Sequence, residues 1–155
     1  MIENKVDEID LKILKILEDD SKSNYREIAD KVDIALGTVS NRIKKMKDMK
    51  IIKKFTIDMD TRQIGYEITA IILLQIAGES INEVEEELAK KPFVYLIYDT
   101  TGVWDSIIVV KFKRISELNT FLKALNKIEQ VERTSTCVCL NVIKENVFFP
   151  IQLEE

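Results

Sequence analysis

From Ile68 to Lys144 the hydrophobic pattern changes period in a fixed order, and that order leaves few folds open. Ile68 to Ala77 (ITAIILLQIA) is a short, almost wholly apolar run of strand length. Ser80, Ile81, Asn82 and Glu83 then open a helix, with Ser80 and Glu83 at the spacing of a capping box. That helix turns Ile81, Val84 and Leu88 inward and stops before Pro92. Val94 to Thr100 reads as a strand, Gly102 as a turn, and Ser106 to Phe112 as a β-branched strand. Ser116 caps a helix that keeps Leu118, Phe121, Leu122 and Leu125 inside, and Glu132 to Lys144 is a last strand. The order is βαββαβ, the ferredoxin-like split pattern. Such a sheet has helices on one face only. Its other face needs a cover, which a second copy of the sheet can supply.

The first third of the chain has helical period instead. Ile9, Ile13, Leu14, Ile16 and Leu17 recur at helical spacing between about Asp7 and Asp19. Asp7 is the expected N-cap, and Glu8 and Asp10 place negative charge in the first turn. A second helix starts at the capping box Asn24 and Glu27 and is expected to bury Tyr25, Ile28, Ala29 and Val32. Asp33 to Leu36 form a turn. A third helix runs from about Leu36 to Met49, with Val39, Ile43 and Met46 on one face. The opposite face holds Gly37, Asn41, Lys44 and Asp48, flanked by Thr38 and Lys45. It is small and polar at one end and cationic at the other, which suits approach to base edges and phosphates. Between Arg42 and Lys54 seven cations face a single acid, Asp48, although the chain carries a net charge of −4. Positive charge gathered in one stretch of an acidic chain suggests a nucleic-acid surface. Ile51 to Asp58 reads as a strand, and Asp60 to Gly65 as a polar link with a turn at Gly65.

Composition narrows the function classes. With 46% hydrophobic and 32% charged residues the chain is globular. No run is long and apolar enough to span a membrane, and MIENKVDEID lacks the apolar stretch of a leader, so a cytoplasmic location is expected. Histidine is absent, which removes the commonest general base and metal ligand, so no catalytic residue is assigned. Cys137 and Cys139 stand two apart in a strand, poorly placed for a disulfide and too few for zinc; plain packing is expected, with no metal site. Few His, Cys and Gly beside many Ile, Lys and Glu are similar to thermophile usage.

Three stretches carry a likeness beyond pattern: DEIDLKILKILEDDSKSNYREIADKV, GTVSNRIKKMKDMKIIKKF and DTTGVWDSIIVV. In order, and followed by βαββαβ, they resemble the Lrp/AsnC, or feast/famine, transcription regulators, in the archaeal style, over roughly Val6 to Glu145. The resemblance implies an α+β chain in three parts. A winged-helix-like helix-turn-helix domain for DNA occupies 1–50, a strand linker 51–65, and a βαββαβ effector-binding and oligomerisation domain 66–155. It implies double-stranded DNA as partner through Thr38, Ser40, Asn41, Arg42, Lys44 and Lys45. It further implies a homodimer, an octamer as a further assembly, and the basal transcription machinery as a possible partner.

Cofactors are not implied, but an amino-acid effector is. The family's TGxxD turn is matched by Thr101 to Asp105. Carried over, Gly102 admits a ligand to backbone N–H groups, Thr101 offers a hydroxyl, Asp105 pairs with an α-ammonium, and Thr134 and Thr136 complete the pocket. Two positions depart from the family pattern. Asp33 stands where Gly is common, and Ala35-Leu36 where Ser-Pro opens the recognition helix. Asp tolerates left-handed backbone, whereas Ala is a poor N-cap, so a frayed helix start is expected. Haem-pathway decarboxylases share the two-part architecture and form the alternative reading; the missing histidine disfavours it.

Overall fold

The computed structural model describes residues 6–145 and Ile151. The leader-free reading of the N-terminus falls partly on residues 1–5, and the expected second domain partly on 146–150 and 152–155; these lie outside the described residues. The chain divides into two compact units between Asp58 and Met59.

In the first unit, α1 (Glu8–Asp19), α2 (Tyr25–Val32) and α3 (Leu36–Asp48) form where the periodicity places them. Asp7 caps α1, accepting from the Asp10 N–H at 2.8 Å, while Asp10 Oδ2 accepts from the Asp7 N–H at 3.2 Å. Asn24 and Glu27 make the expected box on α2. Asp33 sits in the left-handed region at φ 53, ψ 52, so the turn that glycine usually makes is kept by aspartate. The core is Ile13, Leu17, Ile28, Ala29, Val39, Ile43 and Met46. Tyr25 is a correction. It is 38% exposed, because the first helical residue projects before a full turn exists to bury it.

The stretch Ile51–Asp58 is a second correction: it has no strand ladder. Lys50, at φ 59, reverses the chain after α3, and the Ile51 N–H closes on the Met46 carbonyl at 2.9 Å. Ile51 and Ile52 then pack on the first core. A strand needs a neighbouring strand for its backbone groups, and the described residues provide none for 51–58. Ile151 also groups with this unit, its N–H donating to Glu18 Oε2 at 3.2 Å.

The second unit is a four-stranded antiparallel sheet of order β2-β3-β1-β4 with two helices. Its elements are β1 (Ile68–Ile76), α4 (Ile81–Ala89), β2 (Val94–Asp99), β3 (Ser106–Phe112), α5 (Ile115–Leu125) and β4 (Val131–Val138). Ala70, Ile72, Leu74 and Ile76 of β1 face the helices, beside Ile108 and Val110 of β3 and Val84, Leu88, Leu118 and Leu125. Register puts Ile71, Leu73, Ile107, Val109, Leu96 and Tyr98 together on the other face, where no helix of the described residues lies.

Both expected serine caps fail in this unit. A 3₁₀ turn, Gly78–Ser80, precedes α4, so Ser80 has already turned (φ −108, ψ 3) and its hydroxyl caps nothing. On α5 the helix starts two residues early, at Ile115 after the N-cap Arg114. Glu117 reaches back to the N–H groups of Lys113 (3.0 Å) and Arg114 (3.3 Å), leaving Ser116 inside the first turn. The last strand is shorter than Glu132–Lys144. Its partner β1 begins at Ile68, and the ladder ends with the Cys139 N–H on the Thr69 carbonyl at 2.8 Å.

Candidate nucleic-acid helix and ligand turn

Burial of Val39, Ile43 and Met46 fixes the rotation of α3, and every residue expected opposite them is exposed. Thr38, Asn41, Lys44 and Lys45 lie along this outer side, and Ser40 is exposed on its flank. Ala35 makes no side-chain cap, as expected, yet the helix start is formed. The Ala35 carbonyl accepts from Thr38 N–H (2.9 Å) and Val39 N–H (3.2 Å). Among the described residues, Lys44, Lys45, Lys50, Lys53 and Lys54 have no carboxylate within ion-pair distance. Lys47 stands over the Phe55 ring, 4.8 Å from its centroid. The outer face therefore presents cations whose charge the domain has not neutralised.

Arg42 is different. Its guanidinium binds Asp10 Oδ1 at 2.8 Å and Asp7 Oδ2 at 2.7 Å, joining α3 to the start of α1. The Asp10 side chain is only 2% exposed. The two carboxylates hold the Arg42 proton more tightly than usual, Asp10 more than Asp7. The Asp7 carboxyl is held below its ordinary range, first by the Asp10 N–H and then by Arg42. Grouped with the outer-face residues on sequence, Arg42 instead has its charge committed within the domain. Sequence carried no sign of this clamp, because its acids lie 32 and 35 residues from the arginine.

In the second unit the turn after β2 is tightly closed. The Thr100 N–H donates to the Asp105 carbonyl at 2.8 Å, and the Thr100 hydroxyl to the Trp104 carbonyl at 2.7 Å. Gly102 has φ 119, a conformation that side chains disfavour, and Thr101, Gly102 and Val103 are exposed at the tip. Asp105 serves the fold itself, since its Oδ2 accepts from the Ile76 N–H at 2.8 Å and so finishes β1. Arg133 lies over the Trp104 ring, 5.5 Å from its centroid. Thr134 and Thr136 share a face, as expected from the strand period. Register sets them opposite Leu74 and Ile72, on the helix side, and Thr134 Oγ1 bonds Asn126 Oδ1 at 3.2 Å. Within one chain, then, Thr134 bonds toward the end of α5 and not toward the turn tip, and Thr136 shares its face.

Among the described residues no cluster of His, Cys, Asp and Glu has the makings of a metal site, and no helix is long and apolar enough to cross a membrane. Residues 6–53 match the family model for winged helix-turn-helix DNA-binding, and residues 69–147 that for the Lrp/AsnC ligand binding domain. An HTH-type transcriptional regulator of Pyrococcus furiosus is 42% identical over 142 residues, covering 92% of this chain and 96% of the relative. The HTH-type transcriptional regulator FL11 of Pyrococcus horikoshii is 39% identical over 147 residues, covering 95% and 97%. Among solved structures, E. coli AsnC superposes with a TM-score of 0.84 at 24% identity, covering 92% and 97%. A Neisseria meningitidis transcriptional regulator solved as an L-Met complex superposes with 0.84 at 20% identity, covering 94% and 96%.

Proposed function

The chain belongs to the Lrp/AsnC family of transcriptional regulators, and on that premise we propose that its homodimer reads DNA with the outer face of α3. Thr38 and Asn41 meet base edges or the adjoining phosphates, and Lys44 and Lys45 meet phosphates. Ser40 borders this contact, and Arg42 supports it from within the domain. The carrying observation is the exposed outer side of α3, cationic and unpaired, opposite three buried anchors. Two copies of the helix on a two-fold axis call for a pseudo-palindromic site with half-sites about one helical turn, or a multiple, apart.

Self-association is supported by the sheet face without helices, where Ile71 is 37% and Tyr98 53% exposed. A second sheet covering it gives the homodimer, and the octamer is a further assembly of such dimers. A regulator of this kind works where the chromosome is, in the cytoplasm, as a binding protein and not an enzyme. Occluding a promoter suffices for repression. The exposed acids of α4 are read as a solvated face rather than a surface for basal transcription machinery, since Glu87 is paired with Lys90 at 2.6 Å.

An amino acid at the Thr101–Asp105 turn is the proposed effector, by analogy with the L-Met complex of the Neisseria meningitidis protein. The exposed tip and the Asp105 Oδ1, which makes no hydrogen bond among the described residues, support it. Thr134 and Thr136 join this site if a neighbouring subunit completes it. Footprinting on the promoter of the protein's own gene tests the DNA reading. Replacing Asn41, Lys44 and Lys45 together by alanine is expected to weaken operator binding about a hundredfold. Unchanged affinity would sink it. A thermal-shift screen of amino acids, repeated on Gly102→Val, tests the effector reading.

A further inference from the structure

We propose that the groove between α4 and α5 is a second ligand site, selective for a carboxylate with an apolar, ring-bearing body and no ammonium group. The groove lies wholly within the second unit and encloses about 830 Å³. That is within the usual range for a small-molecule site. It is separate from the turn at Thr101–Asp105, and the inference does not rest on an effector binding there.

Its walls include Phe93, Phe112 and Phe121, which pack on one another with centroids 4.8 to 5.9 Å apart. Aromatic walls favour a flat ring that can add edge-to-face contacts. Lys91 and Lys113 border the groove, and both are exposed. Among the described residues neither has a carboxylate within ion-pair distance. Lys111 also borders it, but its ammonium is already paired with Glu145. Lys113 also lies over the Tyr66 ring of the same lining, 5.4 Å from its centroid. Two cations without a carboxylate partner beside an apolar wall attract an anion, and the attraction strengthens as water leaves.

The absence of a free acid along the lining decides the rest of the selectivity. Among the described lining residues Glu117 is the one carboxylate, and it is occupied. Its oxygens accept from the Lys113 and Arg114 N–H groups and pair with the Arg114 guanidinium at 3.6 Å. An α-ammonium entering the groove would lose its hydration and meet lysines, with no free carboxylate among the described lining residues to pair with it. The site therefore separates an aryl carboxylate from the amino acid of the same ring, the reverse of what the Asp105 turn is read to prefer.

Titration calorimetry on the full chain tests this with three indole probes: indole-3-acetate, tryptamine and tryptophan. Indole-3-acetate is expected to saturate at one per chain, and tryptamine to give no saturable heat. Lys91→Ala with Lys113→Ala should weaken indole-3-acetate about tenfold or more. Ala124→Trp, an exposed lining position, should fill the groove and abolish binding while the circular dichroism melt stays cooperative. Equal affinity for tryptamine, no saturable heat with indole-3-acetate, or an unchanged lysine variant would each overturn the proposal. So would tryptophan binding that Ala124→Trp removes, or indole-3-acetate binding that is lost as the protein self-associates, since a second copy would then be the occupant. Tryptophan heat that survives Ala124→Trp supports the separation of the two sites.

Discussion

Arg42→Met removes the cation from a carboxylate that the fold has already taken out of water. Asp10 is buried, and without Arg42 its remaining described hydrogen bond is the Asp7 N–H at 3.2 Å. Removing one partner of a buried pair costs about 3–5 kcal/mol. Arg42 is itself 25% exposed and Asp7 more than half exposed, so water can reach part of the site. A value at or just below the bottom of that range, about 2–3 kcal/mol, is therefore expected for the first unit. In a domain of this size each kcal/mol moves the midpoint by about 4–8 °C, so its transition should fall by roughly 10–20 °C.

Scanning calorimetry of the full chain reads that transition. Adding Asp10→Asn to Arg42→Met should recover at least half of the loss, because the neutral amide needs no counter-charge. A second readout separates clamp from contact. Measured well below the melt, the salt dependence of DNA binding should keep its slope in Arg42→Met, whereas losing one phosphate contact flattens it by about one unit. A midpoint within about 2 °C of the parent, or a flattened slope, would falsify the clamp.

Ala35→Ser should stabilise α3 by about 1 kcal/mol, since the N-cap backbone (φ −65, ψ 143) already has the extended shape that lets a hydroxyl cap the first turn. A midpoint that does not rise would count against the cap geometry. Acid should weaken the first unit through Asp7, whose folded pKa is depressed. That stabilisation is complete above the ordinary aspartate value, about 3.9, and is lost as pH falls below it and through the lowered folded value. Asp7→Asn should flatten this part of the stability–pH curve; an unaltered curve would refute the linkage. In Lys44→Ala with Lys45→Ala, the salt slope of operator binding should lessen by about two while the melt stays in place; a steep slope retained in full would remove the lysines from the phosphates.

What the sequence determined by itself is the three helices of the first unit and the element order of the second. Helical spacing of Ile13, Leu17, Val39, Ile43 and Met46, and the caps Asp7 and Asn24, act within a few residues, so they can be read without the fold. The βαββαβ order was legible for the same reason, and so was the exposed side of α3. Tertiary structure decided what depends on partners distant in the chain. It gave Arg42 to Asp10, left Ile51–Asp58 without a ladder, ended β4 at the reach of β1, and turned Thr134 and Thr136 toward the helices. It also brought Phe93, Phe112 and Phe121 together beside Lys91 and Lys113. Periodicity reports which face of an element is apolar; only packing determines which charge, strand or ring lies across from it, because those energies belong to pairs and not to single positions.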